Sequence, residues 1–300
     1  MSRRGWLLFV TMGVIWGVPY LLIKVAVDEL TPATLVFART ALAGLLLVPL
    51  AAARGQLRPL LPVWRPVLAY TLVEVTVPWV FLNTAEQRLS SSLAGLLIAG
   101  VPLVGAVLAA VTGTERLGPL RIVGLFVGLA GVAALVGFDV RGGDLWAVAQ
   151  IAIVVVGYAV GPYILNRHLS GAPGLGVIAA SLGVTALIYL PVAVVQAPRV
   201  MPSATAVGAV VGLALICTAL AFVVFFALIA EVGPVRATVV TYVNPAVAVA
   251  LGVLLLGEPL TAGILLGFAL VLAGSVLATR RGRPEPAVAP VAVEAECATG

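Results

Sequence analysis

The sequence has 300 residues, of which 62% are hydrophobic and only 10% are charged. Soluble domains average about 25% charged residues, so this composition excludes a soluble protein and indicates an integral membrane protein. The net charge of +5 does not require a nucleic acid partner, because arginines in a membrane protein act as topology signals.

Ten apolar segments follow one another along the chain, each near the ~20 residues that cross a bilayer as a helix. Short links with breakers such as Thr31-Pro32 and Gly118-Pro119 separate them. The first segment is long enough to span, and no small-residue cleavage site follows it, so we expect a retained helix and not a signal peptide. The predicted helices are 6–27, 34–53, 66–85, 93–112, 119–137, 145–165, 174–195, 205–228, 235–256 and 260–279.

One pattern occurs twice, with an interval of 143 residues. Its first copy contains Pro102, Glu115, Gly124 and Gly131, and its second copy contains Pro245, Glu258, Gly267 and Gly274. A duplicated membrane domain is the simplest cause. We therefore predict five-helix repeats at 1–140 and 141–280, followed by a disordered cytoplasmic tail at 281–300 that has no hydrophobic periodicity.

The basic residues predict the orientation of the chain. Apart from Lys24 and Arg39, 12 lie in links, in tails or at helix ends on the side of the N-terminus, and 3 lie on the other side. Because cytoplasmic loops carry the excess of arginine and lysine, both termini are expected in the cytoplasm. Five helices per repeat then place the second repeat upside down relative to the first. The predicted fold class is an all-α polytopic membrane protein with ten transmembrane helices as two inverted five-helix repeats, an arrangement typical of transporters.

Several residues carry a family resemblance. They are Trp16-Gly17 with Lys24, Pro102 with Glu115, and Asn244-Pro245 with Gly257-Glu258-Pro259. Over about residues 6–279 the chain resembles the drug/metabolite transporter superfamily, in its ten-helix branch with two EamA-type domains. The resemblance implies export, or less often import, of small metabolites such as amino acids across the plasma (inner) membrane. Exporters of aromatic amino acids and of cationic viologens belong to this group.

The two repeated prolines are candidate hinges. Pro102 and Pro245 fall near the middle of the fourth and ninth predicted helices. Proline removes a backbone donor and crowds a carbonyl, so each helix should kink or loosen there. An inert packing kink is the alternative. Asn244 could cap the broken turn or bind substrate.

Three charged residues lie inside predicted helices, where charge is costly and is a functional candidate. They are Lys24, Arg39 and Glu74. Lys24 and Arg39 could instead snorkel to the membrane surface. Glu74 has a shorter side chain and lies deeper, so we expect it to pair with Lys24 or Arg39 or to be protonated. A proton-coupling role and a structural ion pair remain open alternatives.

Aromatic residues with polar atoms complete the candidate set for substrate binding. An aromatic cavity would suit apolar, aromatic or cationic substrates, whereas packing is the alternative role of each residue alone. The candidates are Trp16, Tyr20, Trp79, Tyr158, Tyr163 and Tyr242.

Other classes of protein find little support in the sequence. A single histidine, His168, with the isolated cysteines Cys217 and Cys297 predicts no metal site, and no Walker or Gly-x-Ser-x-Gly motif is present. We expect no cofactor and no catalysis; an importer of the same fold, a membrane enzyme and a scaffold are the alternatives. The expected partners are a small-molecule substrate and lipid.

The glycines and the repeated glutamates receive structural roles. Small-xxx-small pairs (Gly124 with Gly128, Gly263 with Gly267) predict close packing of the fifth and tenth helices or a homodimer, so a monomer and a homodimer both remain open. Glu115 and Glu258 stand just before the next helix and are predicted to cap its N-terminus.

Overall fold

The computed structural model describes residues 2–114, 118–139, 144–233 and 237–279. The described chain is helical and without strands, and ten of its helices are long and apolar enough to cross a membrane. This confirms the predicted all-α membrane class and the number of spans. We label them α1 (Arg3–Ala26), α2 (Pro32–Ala53), α3 (Arg58–Glu86), α4 (Ser91–Val111), α5 (Pro119–Phe138), α6 (Leu145–His168), α7 (Gly174–Val195), α8 (Ala204–Val232), α9 (Val239–Leu256) and α10 (Ala262–Thr279). Glu115 and the tail lie outside the described residues.

Side-chain caps fix where several helices begin. A hydroxyl oxygen one residue before the helix accepts a hydrogen bond from a backbone amide of the first turn. This arrangement occurs at Ser2 of α1, Thr31 of α2, Ser90 of α4 and Ser203 of α8. The cap satisfies an amide that has no partner within the helix.

The fourth and ninth helices are interrupted where the prolines predicted it. Helix α4 consists of Ser91–Ile98 and Val101–Val111, with Pro102 as second residue of its second segment. Helix α9 contains a 3₁₀ segment that ends at Tyr242 and an α-helical segment, Asn244–Leu256, in which Pro245 is again second. Both prolines thus occupy a first turn, where a missing amide hydrogen costs least.

A carbonyl released by the interruption of α4 finds a partner on another helix. The Ser275 hydroxyl of α10 donates to the carbonyl oxygen of Ala99 at 3.1 Å. The hydrocarbon core of a bilayer contains no water that could donate a hydrogen bond to this carbonyl, so a neighbouring helix has to supply the donor. Helix α10 therefore stabilises the break.

Two helices contain π-helical segments that the sequence did not predict. They are Thr71–Thr76 in α3 and Leu215–Leu220 in α8. The two segments stand 144 residues apart and occur in the third helix of each predicted repeat. Both helices are 29 residues long, which is longer than predicted. Single π-helical turns are rare and frequently mark functional sites.

Hydroxyl groups tie the π-helical segment of α3 to α7. The Thr71 hydroxyl donates to Ser181 Oγ at 2.8 Å, and the Thr76 and Thr185 hydroxyls are also 2.8 Å apart. The Tyr189 hydroxyl donates to the carbonyl oxygen of Thr76 at 3.0 Å. These hydrogen bonds satisfy polar groups that would otherwise be buried without partners at the wide π-helical turn.

The helix pairings are related by exchange of the two halves. Helix α5 packs on α10, and α2 packs on α7. Helix α1 packs on α8 and α9, and α6 packs on α3 and α4. Adding or subtracting five in each helix number converts the α5–α10 and α2–α7 pairings into themselves and converts the pairings of α1 into those of α6. The pattern is consistent with two five-helix repeats.

The predicted close packing of the fifth and tenth helices is confirmed. A methyl group added at Gly124 would overlap the backbone of α10 near Ala278, and one added at Gly274 would overlap the backbone of Gly128. Only hydrogen at these positions allows the two backbones to approach so closely. These glycines therefore serve packing within one chain.

Candidate substrate site

A buried arginine joins three helices inside the protein. Arg39 of α2 is 7% exposed, and its guanidinium carbon lies 3.7 Å from the centroid of the Trp79 ring on α3. Its Nε donates to the hydroxyl oxygen of Thr218 at 2.9 Å, within the π-helical segment of α8. Held by two partners, Arg39 does not snorkel to the membrane surface. Stacking on an aromatic face and a directed N–H bond are characteristic of arginine.

Two tyrosines extend this group. Tyr20 of α1 is buried, and Tyr158 of α6 packs against the buried cluster that contains Trp79. The Arg39 charge interacts electrostatically with both tyrosines. The structure therefore brings together four of the predicted site residues, from helices of both halves of the chain.

Glu86 is a member of this group that the sequence did not reveal. Its side chain is 0% exposed, and neither carboxylate oxygen has a hydrogen-bond partner among the described residues. The predicted third helix ended one residue before it, whereas α3 includes it. The signal was available, because Trp79, Asn83 and Glu86 are spaced four and three residues apart and share one face of a helix.

Lys24 has a role at the end of α3. Its Nζ donates to the main-chain carbonyl oxygens of Glu86 at 2.7 Å and of Leu89 at 3.0 Å. A cation at the C-terminus of a helix satisfies carbonyls that lack partners and complements the helix dipole. This contact holds α1 to the end of α3, beside the Glu86 carboxylate.

Glu74 lies apart from the cations, so the structure shows neither of the ion pairs predicted with Lys24 and Arg39. Its side chain packs on α6 so closely that a methyl group at Gly161 would overlap the carboxylate. Its Oε2 is enclosed and has no partner among the described residues. The residue is at the position in α3 that matches Thr218 in α8, since both are fourth in their π-helical segments.

Trp16 and Asn244 contact other helices near this group. The Trp16 ring is 4.7 Å from the Phe225 ring and 6.4 Å from the Phe222 ring, centroid to centroid. Both phenylalanines belong to α8 and were not singled out in the sequence. The Asn244 amide, oriented to satisfy its neighbours, donates to the carbonyls of Val240 at 3.0 Å and Gly13 at 3.3 Å. Asn244 thus bridges the interruption of α9 to α1.

Tyr163 and Tyr242 form their contacts elsewhere. Tyr163 accepts a 3.0 Å hydrogen bond from Arg167 on its own helix, at an exposed position. The Tyr242 hydroxyl lies 2.8 Å from the Thr279 hydroxyl near the end of α10. The structure does not bring either residue to the group around Arg39.

The Glu258 carboxylate caps a helix, although not the one predicted. It accepts hydrogen bonds from the amides of Ser91 at 2.7 Å and Ser92 at 2.9 Å, and from the Ser92 hydroxyl at 2.5 Å. These groups begin α4, whereas the sequence suggested a cap on α10. The carboxylate is attracted to the amides of α4 because they point out of the helix end without internal partners.

Within the described ranges, no group of three or more His, Cys, Asp or Glu side chains could hold a metal ion. The polar side chains around Arg39 are instead the Glu86 carboxylate, the Thr218 hydroxyl and aromatic rings with polar atoms, and Lys24 lies beside Glu86. Such a set can bind a small organic molecule through charge, hydrogen bonds and stacking.

A bundle of ten apolar helices with a polar group buried among both halves defines a polytopic membrane transporter. The family model described as the EamA-like transporter family matches residues 3–137 and 143–280. The chain belongs to this family, and it is an integral protein of the inner membrane.

Relatives of similar length carry transporter names. The "Uncharacterized inner membrane transporter YedA" of Escherichia coli strain K12 is 28% identical over 289 residues, which is 94% of each chain. The "Probable terminal-alkyne amino-acid exporter" of Streptantibioticus cattleyicolor is 30% identical over 302 residues, covering 97% of this chain and 98% of the relative. A solved crystal structure at 22% identity covers 93% of this chain and 98% of its own, with a TM-score of 0.66, and supports the fold.

Proposed function

We propose that the protein is a secondary transporter that exports amino acids across the inner membrane by alternating access, with both termini in the cytoplasm. The observation that carries the proposal is the buried Arg39 guanidinium lying on Trp79. Its Nε bonds to Thr218, and its two terminal nitrogens have no hydrogen-bond partner among the described residues. These nitrogens form the fork that binds a carboxylate with two parallel hydrogen bonds.

The surroundings of Arg39 favour amino acids over organic cations. A fixed positive charge repels a cationic substrate and attracts a carboxylate. Trp79, Tyr20 and Tyr158 supply aromatic surfaces for the rest of the substrate. The relative from Streptantibioticus cattleyicolor, named as an amino-acid exporter, supports both the substrate class and the direction.

The interrupted helices support alternating access. Helices α4 and α9 each consist of two segments that meet near Pro102 and Pro245. Such a junction lets one segment tilt while the other remains packed, and discontinuous helices near the membrane centre are typical of transporters built from inverted repeats. We assign the hinges to these prolines, and the path beyond the site to Trp16 and Asn244.

The proposal is tested by exchange in proteoliposomes. Vesicles loaded with one unlabelled amino acid should accumulate the same labelled amino acid, and all twenty L-amino acids are assayed in turn. Arg39→Gln should reduce exchange of the best substrate by about tenfold or more, because a charge-assisted pair is lost. Arg54→Gln, which removes an exposed arginine at the end of the same helix, is the matched control and should retain exchange. No exchange above empty vesicles for any amino acid would refute the proposal.

The orientation has a test of its own. Charged thiol reagents added to whole cells should label a cysteine at Arg199 and not one at Ser2. The reverse pattern would place the N-terminus outside and overturn this part of the proposal.

A further inference from the structure

Glu86 carries a carboxylate for which the fold supplies no structural use. Its side chain is completely buried, yet both oxygens lack a hydrogen-bond partner among the described residues. Buried polar groups in folded proteins almost always have partners, so an exception requires an explanation such as a bound ligand. The groups that cap helices here, Glu258 and Lys24, by contrast each form at least two hydrogen bonds to main-chain atoms.

Charged and polar groups from several elements surround this carboxylate. Those in electrostatic range are Tyr20 and Lys24 of α1, Arg39 of α2, Tyr158 of α6 and Glu258 of the link between α9 and α10. Lys24 donates to the main-chain carbonyls beside it, and Arg39 donates to Thr218. Two cations are therefore close, and neither forms an ion pair with Glu86.

Arg39 and Glu86 thus lie within electrostatic range of each other, and no ion pair joins the guanidinium to the carboxylate. A zwitterionic amino acid carries the complementary charges in one small molecule. An ammonium group offers three N–H donors, and the Glu86 carboxylate offers two oxygens with no other donor. When Arg39 binds the substrate carboxylate, Glu86 is the acceptor left for the substrate's amino group.

We propose that Glu86 binds the α-ammonium group of the substrate and binds a proton when the substrate is absent. This rests on the proposed function, which supplies the amino acid. Binding then follows a balanced exchange in which the Glu86 carboxylic acid loses its proton to water and its carboxylate takes the substrate ammonium. No covalent bond changes in the substrate. A buried carboxylate without a cation is costly, so the site is occupied by either the proton or the ammonium at every stage of transport.

This exchange makes export proton-coupled. One proton enters the cell for each amino acid that leaves. Because the zwitterion has no net charge, each cycle moves one positive charge inwards. A pH gradient, acid outside, and an inside-negative potential both drive export.

The first measurement uses the unaltered protein. An amino acid that exchanges in proteoliposomes is added to purified protein in weakly buffered detergent solution with a pH dye. About one proton should be released per bound molecule. The deaminated acid of the same skeleton, which has no ammonium group, should release none. Binding of the amino acid without proton release would overturn the proposal while leaving the proposed function intact.

The second measurement compares variants in which one carboxylate becomes an amide of the same shape. Glu86→Gln should bind amino acid without releasing a proton. The ratio of its affinity for the amino acid to its affinity for the deaminated acid should fall at least tenfold. Asp28→Asn, at an exposed position outside the helices, is the matched control and should keep both properties.

Two other outcomes decide the assignment. If Glu74→Gln abolishes proton release and Glu86→Gln keeps it, the proton site is Glu74 and the proposal is wrong. If Glu86→Gln does not fold, as judged by size-exclusion chromatography, Glu86→Met is used, which has a similar length and no carboxylate. Unaltered amine preference and proton release in that variant would count against the proposal. Absence of amino-acid exchange in the unaltered protein would refute the proposed function itself.

Discussion

Replacing Thr218 by valine tests how Arg39, the proposed substrate-binding residue, is held in position. The hydroxyl accepts the Nε–H of Arg39 at 2.9 Å and donates to the carbonyl oxygen of Leu213 at 2.8 Å. Valine has nearly the same shape and removes both bonds. Hydrogen bonds to a charged group contribute about 1.5–3 kcal/mol. The stacking on Trp79 persists, so we take the lower end of that range.

A loss of about 1.5 kcal/mol in orienting Arg39 corresponds to roughly a tenfold higher half-saturation concentration for the amino acid. The maximal rate should change less, because the substitution leaves the proposed hinges at Pro102 and Pro245 unaltered. Thr218→Ser keeps the hydroxyl and is the matched control. Its half-saturation concentration should lie within about twofold of that of the unaltered protein. Labelled exchange at a series of concentrations separates the two parameters. If both variants behave alike, the hydroxyl does not position Arg39 and the reasoning is refuted.

Three further predictions concern the frame around the site. Gly274→Ala should lower the free energy of unfolding in detergent by about 1–3 kcal/mol through overpacking. Gly137→Ala, at a position with open space around it, is the control and should leave that free energy unchanged. Equal melting curves for the two variants would contradict this prediction. Alanine in place of Pro102 should lower the maximal transport rate more than substrate binding, measured by exchange and by equilibrium binding, and equal loss of both would indicate a damaged site. The hydroxyl and amide of Ser203 donate to Glu29 and hold the pKa of its carboxyl below the usual 4.5. This contact between the α1–α2 link and the α7–α8 link therefore persists at neutral pH and is lost as the pH falls through that lowered pKa. Ser203→Ala should raise the Glu29 pKa in an NMR titration, and an unchanged value would count against the contact.

Most of the architecture could be predicted because it follows from composition and length. Ten spans are readable since apolar runs of bilayer length have few other structural explanations. The interruptions at Pro102 and Pro245 follow from the geometry of proline alone. The packing of α5 on α10 could be anticipated from the glycines, although the sequence could not separate packing within a chain from packing between chains.

The candidate site was only partly predictable because it depends on distances across the bundle. Arg39 was found by its charge, but its partner Thr218 is 179 residues away in sequence. Glu86 was missed since the predicted helix stopped before it. The expected pairing of Glu74 failed because the residue packs against Gly161 of α6, a neighbour that no local pattern reveals.

The π-helical segment of α3 has a consequence for how that helix meets α7. Ser181 and Thr185 are four residues apart on α7, about one turn of an α-helix. Their partners, Thr71 and Thr76, are five residues apart. On a regular α-helix an interval of five would rotate the second hydroxyl by about 140° away from the first. The π-helical turn accommodates the additional residue, so the hydroxyls of Thr71 and Thr76 lie on the same side of α3. It therefore acts as a spacer that matches an interval of five to an interval of four, and deletion of a single residue between Thr71 and Thr76 should give a regular α-helix that keeps the same two contacts.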